Sequence, residues 1–79
     1  MNRIVTPLSE IPPDSCCRIV SHISKNSDLK AKLLNLGLIP GKEIKVLYKS
    51  PGKDPVAYEV SGATFALRKE DTEKILVEI

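Results

Sequence analysis

The 79-residue chain has no tryptophan, one histidine, one methionine, two cysteines and only three aromatic rings, Tyr48, Tyr58 and Phe65. At least two of these rings are needed for a core. That leaves too few for a base-stacking platform or an aromatic-lined groove for proline-rich peptides. Charge of one sign is also missing. Twelve Lys and Arg are interleaved with ten Asp and Glu, for a net charge of +2, which is too weak a field to imply a nucleic acid or an anionic membrane surface as partner. No stretch approaches the roughly 20 apolar residues of a membrane span. The opening Met1-Asn2-Arg3-Ile4-Val5-Thr6-Pro7 lacks the apolar run of a signal peptide. These absences point to a cytosolic chain that meets a membrane only through a partner. The two cysteines are adjacent, Cys16-Cys17. Neighbouring strand residues point to opposite faces, so a disulfide between them would be strained, and reduced thiols are expected.

With 79 residues there is room for one domain and one small core, over residues 1–79, and none for a large enclosed active site. No repeat, linker or low-complexity tract interrupts it. The densest local signal is Leu33-Leu34-Asn35-Leu36-Gly37-Leu38-Ile39-Pro40-Gly41. Leu29, Leu33 and Leu36 fall on one helical face. Gly37 follows the last periodic leucine, where a helix stop needs positive φ. Pro40 and Gly41 suit the central positions of a type II turn. A helix over Asp28–Leu36 follows, with N-cap candidates in Asn26, Ser27 and Asp28. Burial of its leucines contributes up to about 1.5–3 kcal/mol each.

Around the helix the period is two. Pro7, Pro12 and Pro13 mark the first 15 residues as irregular, with one helical turn at Leu8–Ile11. Cys17–Ile23 reads as a strand with Cys17, Ile19 and Ile23 inward. Glu43–Lys49 reads as a strand with Ile44, Val46 and Tyr48 inward. Residues 50–55 form an exposed loop, and Val56–Val60 is a strand with Val56, Tyr58 and Val60 inward. Ser61-Gly62-Ala63 is a tight reversal. Thr64–Arg68 and Ile75–Ile79 are further strands, separated by a helical turn at Lys69–Glu73. About five short antiparallel strands and one helix in so few residues must curl on themselves to bury a core. The expected fold is mainly β, a small SH3-like barrel with the helix between the first and second strands.

These residues resemble a known family. Leu33 to Gly41 is similar to the LLxLGLxPG signature of FeoA proteins. Lys53-Asp54-Pro55 stands where that family carries Gly-Asp-Pro, Phe65-Ala66-Leu67-Arg68 resembles its xALR strand, and Glu70 to Val77 resembles ExAxxIxV. The motifs run in register from Leu8 to Val77. The chain departs from the family in having Asp14 and Lys53 at glycine positions and Thr72 in place of alanine. The resemblance implies an SH3-like accessory protein of bacterial ferrous iron transport, acting on the cytosolic side of the FeoB-type transporter with its G-protein domain. It would be recruited to the inner face of the membrane. A similar domain ends the iron-dependent repressors, so the alternative is a nucleic-acid-linked or metal-sensing regulatory domain.

Residue chemistry favours binding over catalysis. Cys16 and His22 share a strand face but lie roughly 20 Å apart at about 3.3 Å per residue, and Cys16 and Cys17 point oppositely. No metal site and no cofactor are therefore expected, and His22 reads as a surface residue. There is no phosphate-cradling loop and no activated nucleophile. The only arginines are Arg3, Arg18 and Arg68, and Arg68 reads as half of a structural ion pair. The candidate partner surface comprises Leu34, Leu38, Ile39 and Pro40 after the helix, with Pro51, Lys53, Asp54 and Pro55 as its rim. Gly37, Gly41 and Gly62 are structural turns. A free strand edge is a further place for a partner strand, and weak self-association is admitted.

Overall fold

The computed structural model describes residues 4–23, 27–49 and 51–79. Six strands form one antiparallel sheet: β1 (Val5–Pro7), β2 (Cys16–His22), β3 (Glu43–Lys49), β4 (Val56–Val60), β5 (Ala63–Leu67) and β6 (Ile75–Glu78). Their order across the sheet is β1-β6-β2-β3-β4-β5. Helix α1 (Ser27–Asn35) joins β2 to β3, the single turn α2 (Lys69–Thr72) joins β5 to β6, and a 3-10 turn (Leu8–Glu10) follows β1. The inward faces share one core, which includes Leu8, Ile19, Ile44, Val46, Tyr58, Leu67, Ile75 and Val77, with Leu29 and Leu33 from α1 and Leu36 packed against it. Among the described residues no ladder joins the edge strands β1 and β5. The 3-10 turn lies against both β6 and α2, so two short helical pieces cover the seam.

The expected fold class stands, with its details corrected. Residues 5–7 are not irregular: they form β1, which pairs Val5, Thr6 and Pro7 with Glu78, Val77 and Leu76. A proline cannot donate to a ladder, but it is tolerated at the end of an edge strand. With β1 in place there are six strands rather than five, and α1 lies between β2 and β3, not between the first and second strands. The third expected hairpin strand begins at Ala63 and leaves Arg68 outside it, at the N-cap position of α2 with no capping bond from its own side chain. Asn26 and Arg3 lie outside the described residues.

The inward alternation holds only as far as the first bulge in each strand. In β2 the pairing with β6 slips between Ile19 and Ser21, so Val20 is the extra residue. Cys17 and Ile19 are buried as expected, but beyond the slip the parity reverses and Ile23 is 63% exposed. In β3 the pairing with β4 slips between Val46 and Tyr48. Ile44 and Val46 are buried, whereas Tyr48 is also 63% exposed and stands across from Ala57 on the outer face. A bulge places two residues opposite one, which turns every later side chain to the other face. The β4–β5 hairpin has no bulge, and its register runs unbroken from Val56↔Leu67 to Val60↔Ala63. Ser61 (φ +51) and Gly62 (φ +84) both adopt the left-handed region that a two-residue type I′ turn requires.

Candidate functional site

The segment after α1 shows how local chemistry sets the surface. Gly37 has φ +80. Its N–H donates to the Leu34 carbonyl at 3.0 Å, and the Leu38 N–H donates to the Leu33 carbonyl at 2.9 Å. This bond pair is the Schellman motif, which brings the residue after the glycine against the residue five before it. Leu33 and Leu38 both enter the core as a result. The expected apolar patch therefore loses its centre: Leu38 is only 2% exposed, while Leu34 (53%) and Ile39 (39%) remain open to solvent, as does Pro40. The following turn is type II, with Gly41 at φ +92 and the Lys42 N–H donating to the Ile39 carbonyl at 3.1 Å. Gly41 N–H and Lys42 C=O bond the carbonyl and amide of Ile19 at 2.8 and 2.9 Å. The exposed Ile39-Pro40 tip is thereby held on β2.

Asp54 does structural work within the chain. Its Oδ1 accepts the Lys69 backbone N–H at 2.9 Å, satisfying a free donor at the start of α2. Its Oδ2 lies 3.9 Å from the Arg68 guanidinium, in an exposed pair. Arg68 thus has the ion-pair partner expected of it. The Asp54-Pro55 peptide is cis, and Lys53 before it has φ +66. Asp14 has the same φ of +66. The two departures from family glycine therefore fall at left-handed positions, where glycine is the easier residue. Pro51 is exposed and Pro55 is half-buried.

Beside α2 the seam holds a cavity of about 160 Å³, lined by Ser9, Lys53, Val56, Tyr58, Lys69 and Thr72. It takes Lys53 from the expected surface but none of Leu34, Leu38, Ile39 and Pro40. The Thr72 hydroxyl donates to the Lys69 carbonyl at 3.3 Å. Burial pushes the Tyr58 phenol above its ordinary range, against a smaller opposing effect of the neighbouring Thr72 side chain. α1 is tied to α2 by Lys32 and Asp71, 3.4 Å apart. The sequence reading missed Ser9, Tyr58, Lys69 and Thr72 as one group. They come from three elements, the 3-10 turn, β4 and α2, and no spacing along the chain announces their meeting.

The thiols and the histidine are not a chelate. Cys16 is exposed and Cys17 buried. The Cys17 Sγ donates to the Ile44 carbonyl at 3.7 Å. Burial, with smaller contributions from Cys16 and Glu43, pushes its pKa up to about 11, so it stays a protonated, unreactive thiol at neutral pH. The Val20 bulge also separates Cys16 from His22, which were expected on one face. His22 pairs with the core residue Ile75, and its Nδ1 is buried without a partner, so it is not the simple surface residue the sequence suggests. Among the described residues no three of His, Cys, Asp and Glu converge as metal ligands, and no helix is long and apolar enough to cross a membrane.

A family model for the FeoA domain matches residues 6–79. The Fe(2+) transport protein A/Fe(2+) transporter FeoB fusion protein of Porphyromonas gingivalis is 31% identical over 61 residues, covering 77% of this chain. The chain spans only 7% of that relative's length. Among solved structures, Stenotrophomonas maltophilia FeoA complexed with zinc, described as a prokaryotic SH3 domain protein, is 29% identical with a TM-score of 0.75, covering 89% of this chain and 86% of its own. T. acidophilum IdeR is 31% identical with a TM-score of 0.84, covering 95% of this chain and 34% of its own.

Proposed function

This chain belongs to the FeoA family, and on that premise we propose that it is a non-enzymatic interaction module of ferrous iron uptake. Residues 1–79 act as one domain in the cytosol. They bind the cytosolic part of a FeoB-type transporter and modulate its assembly or GTP-driven activity, reaching the membrane only through that partner. The observation that carries this reading is the fusion: in Porphyromonas gingivalis a segment similar to this chain shares one polypeptide with a FeoB transporter. Covalent joining holds two modules at high effective concentration, which is useful where they must meet. The exposed Leu34, Ile39 and Pro40 supply apolar contact area for such a meeting.

A second reading rests on the similarity to IdeR, of which a comparable domain makes up about a third. It would make this chain a regulatory, metal-sensing or nucleic-acid-linked module. A titration of the full chain with the soluble cytosolic part of the cognate transporter, alongside membranes with and without the full transporter, separates the two. Saturable binding that requires the transporter is the expected result. No binding in either format, together with a DNA complex that weakens as salt rises, would favour the second reading.

A further inference from the structure

Among the described residues the sheet has two unpaired edges, β1 and β5, and only one is defended. β1 is three residues long and ends in Pro7, which are ordinary protections against unwanted strand pairing. β5 reads Ala63-Thr64-Phe65-Ala66-Leu67, without charge, proline or bulge. The two-residue turn makes Val60 and Ala63 a hydrogen-bonded pair, so Ala63, Phe65 and Leu67 direct their backbone groups to β4. Thr64 and Ala66 therefore point N–H and C=O away from the sheet, and the small exposed Ala66 offers no steric block. Phe65 is inward-facing, packed against the core with its centroid 6.5 Å from that of Tyr58, yet it remains partly exposed. At the far end of β5 the open edge meets the seam, where Lys53 and Lys69 line the cavity beside Val56, the residue paired with Leu67.

We propose that the free edge of β5 accepts an extended segment of a partner protein, added antiparallel, with an acidic residue two positions before an aliphatic one. Directly opposite residues share a sheet face, so the residue across from Phe65 covers its open ring and must be apolar. The residue two positions earlier lies across from Leu67, at the rim of the seam, where the Lys53 and Lys69 ammonium groups favour a carboxylate. Thr64 and Ala66 supply the backbone bonds. This deepens the functional reading above and rests on it only for the identity of the partner.

The test titrates the isotope-labelled full chain with acetyl-Thr-Thr-Glu-Thr-Val-Thr-Thr-amide and follows backbone amide shifts. The expected result is saturable shifts centred on Thr64, Phe65, Ala66 and Lys69. Ala66→Pro removes an outward N–H that the β4 ladder does not use, so the fold is retained by circular dichroism while affinity falls at least about tenfold. Lys53→Gly suits the positive φ and removes one cation, weakening binding about threefold, as does Glu→Gln in the peptide. No shifts with this peptide, shifts centred on Ile39 and Pro40, or equal binding by Ala66→Pro would overturn the proposal. So would a dimer in sedimentation that Ala66→Pro abolishes, because the edge would then belong to a second copy. Equal binding of the transporter by wild type and Ala66→Pro removes the site and leaves the functional reading intact. Peptide binding without transporter binding does the reverse.

Discussion

The β4–β5 hairpin and the β2–β3 pair are made from similar alternating sequence, yet only the hairpin keeps its alternation to the end. Val56, Tyr58 and Val60 are all buried, whereas Tyr48, in register with Ala57 one strand away, stands in solvent. The difference is a single extra residue in each of β2 and β3, Val20 and Leu47. Alternation is a local rule that survives where a tight turn sets the register. A bulge is imposed by a partner strand distant in sequence and resets it.

The sharpest way to test this contrast is the two tyrosines. Tyr58→Ala empties a fully buried site and is expected to destabilise by about 3–5 kcal/mol, whereas Tyr48→Ala should stay within about 0.5 kcal/mol. Chemical denaturation of both variants checks it. Similar losses would mean that the parity reversal at Leu47 is wrong.

Gly37→Val probes the other segment in which local chemistry decides the outcome. An added Cβ at Gly37 meets nothing within 4 Å, so the expected loss of about 1–2 kcal/mol comes from the left-handed backbone alone. An unchanged melting temperature would contradict the Schellman stop.

Asp54→Ala is a smaller perturbation and a non-local one. Losing the carboxylate that caps α2 should cost about 1 kcal/mol, as for other helix caps. Asp54→Asn, which keeps an acceptor, should recover most of it in thermal melts.

The effect at Cys17 is nil at neutral pH and emerges only in alkali. The folded-state pKa of about 11 exceeds the unfolded value near 9.0. Below pH 9 the thiol is protonated in both states. Between pH 9 and 11 the unfolded chain loses the proton first, so stability declines as pH rises through that window. In Cys17→Ala this part of the decline should be absent. Under native conditions near pH 8, one thiol, Cys16, should react with an alkylating reagent while Cys17 is protected.

The sequence announced most of the fold because its punctuation is chemically explicit. Gly37, Pro40-Gly41 and Ser61-Gly62 each require a backbone geometry that few other residues permit, and each appears where expected. The missed strand β1 was concealed by Pro7, which reads as a breaker until an edge position makes it harmless. By sequence Leu38 reads as part of the surface patch, yet the same glycine that ends α1 carries it inward against Leu33. The coupling built into a Schellman stop was the available signal. The seam was the least legible part, because Asp54 meets Lys69 and Lys32 meets Asp71 only through the way the sheet curls.

The central claim is that this chain offers a binding surface to a FeoB-type transporter. Quantitative co-sedimentation of the labelled full chain with transporter-containing vesicles tests it most directly. The account predicts binding that saturates at a fixed ratio to the transporter and is absent from empty vesicles. Equal retention by both vesicle types, or none by either, would contradict it.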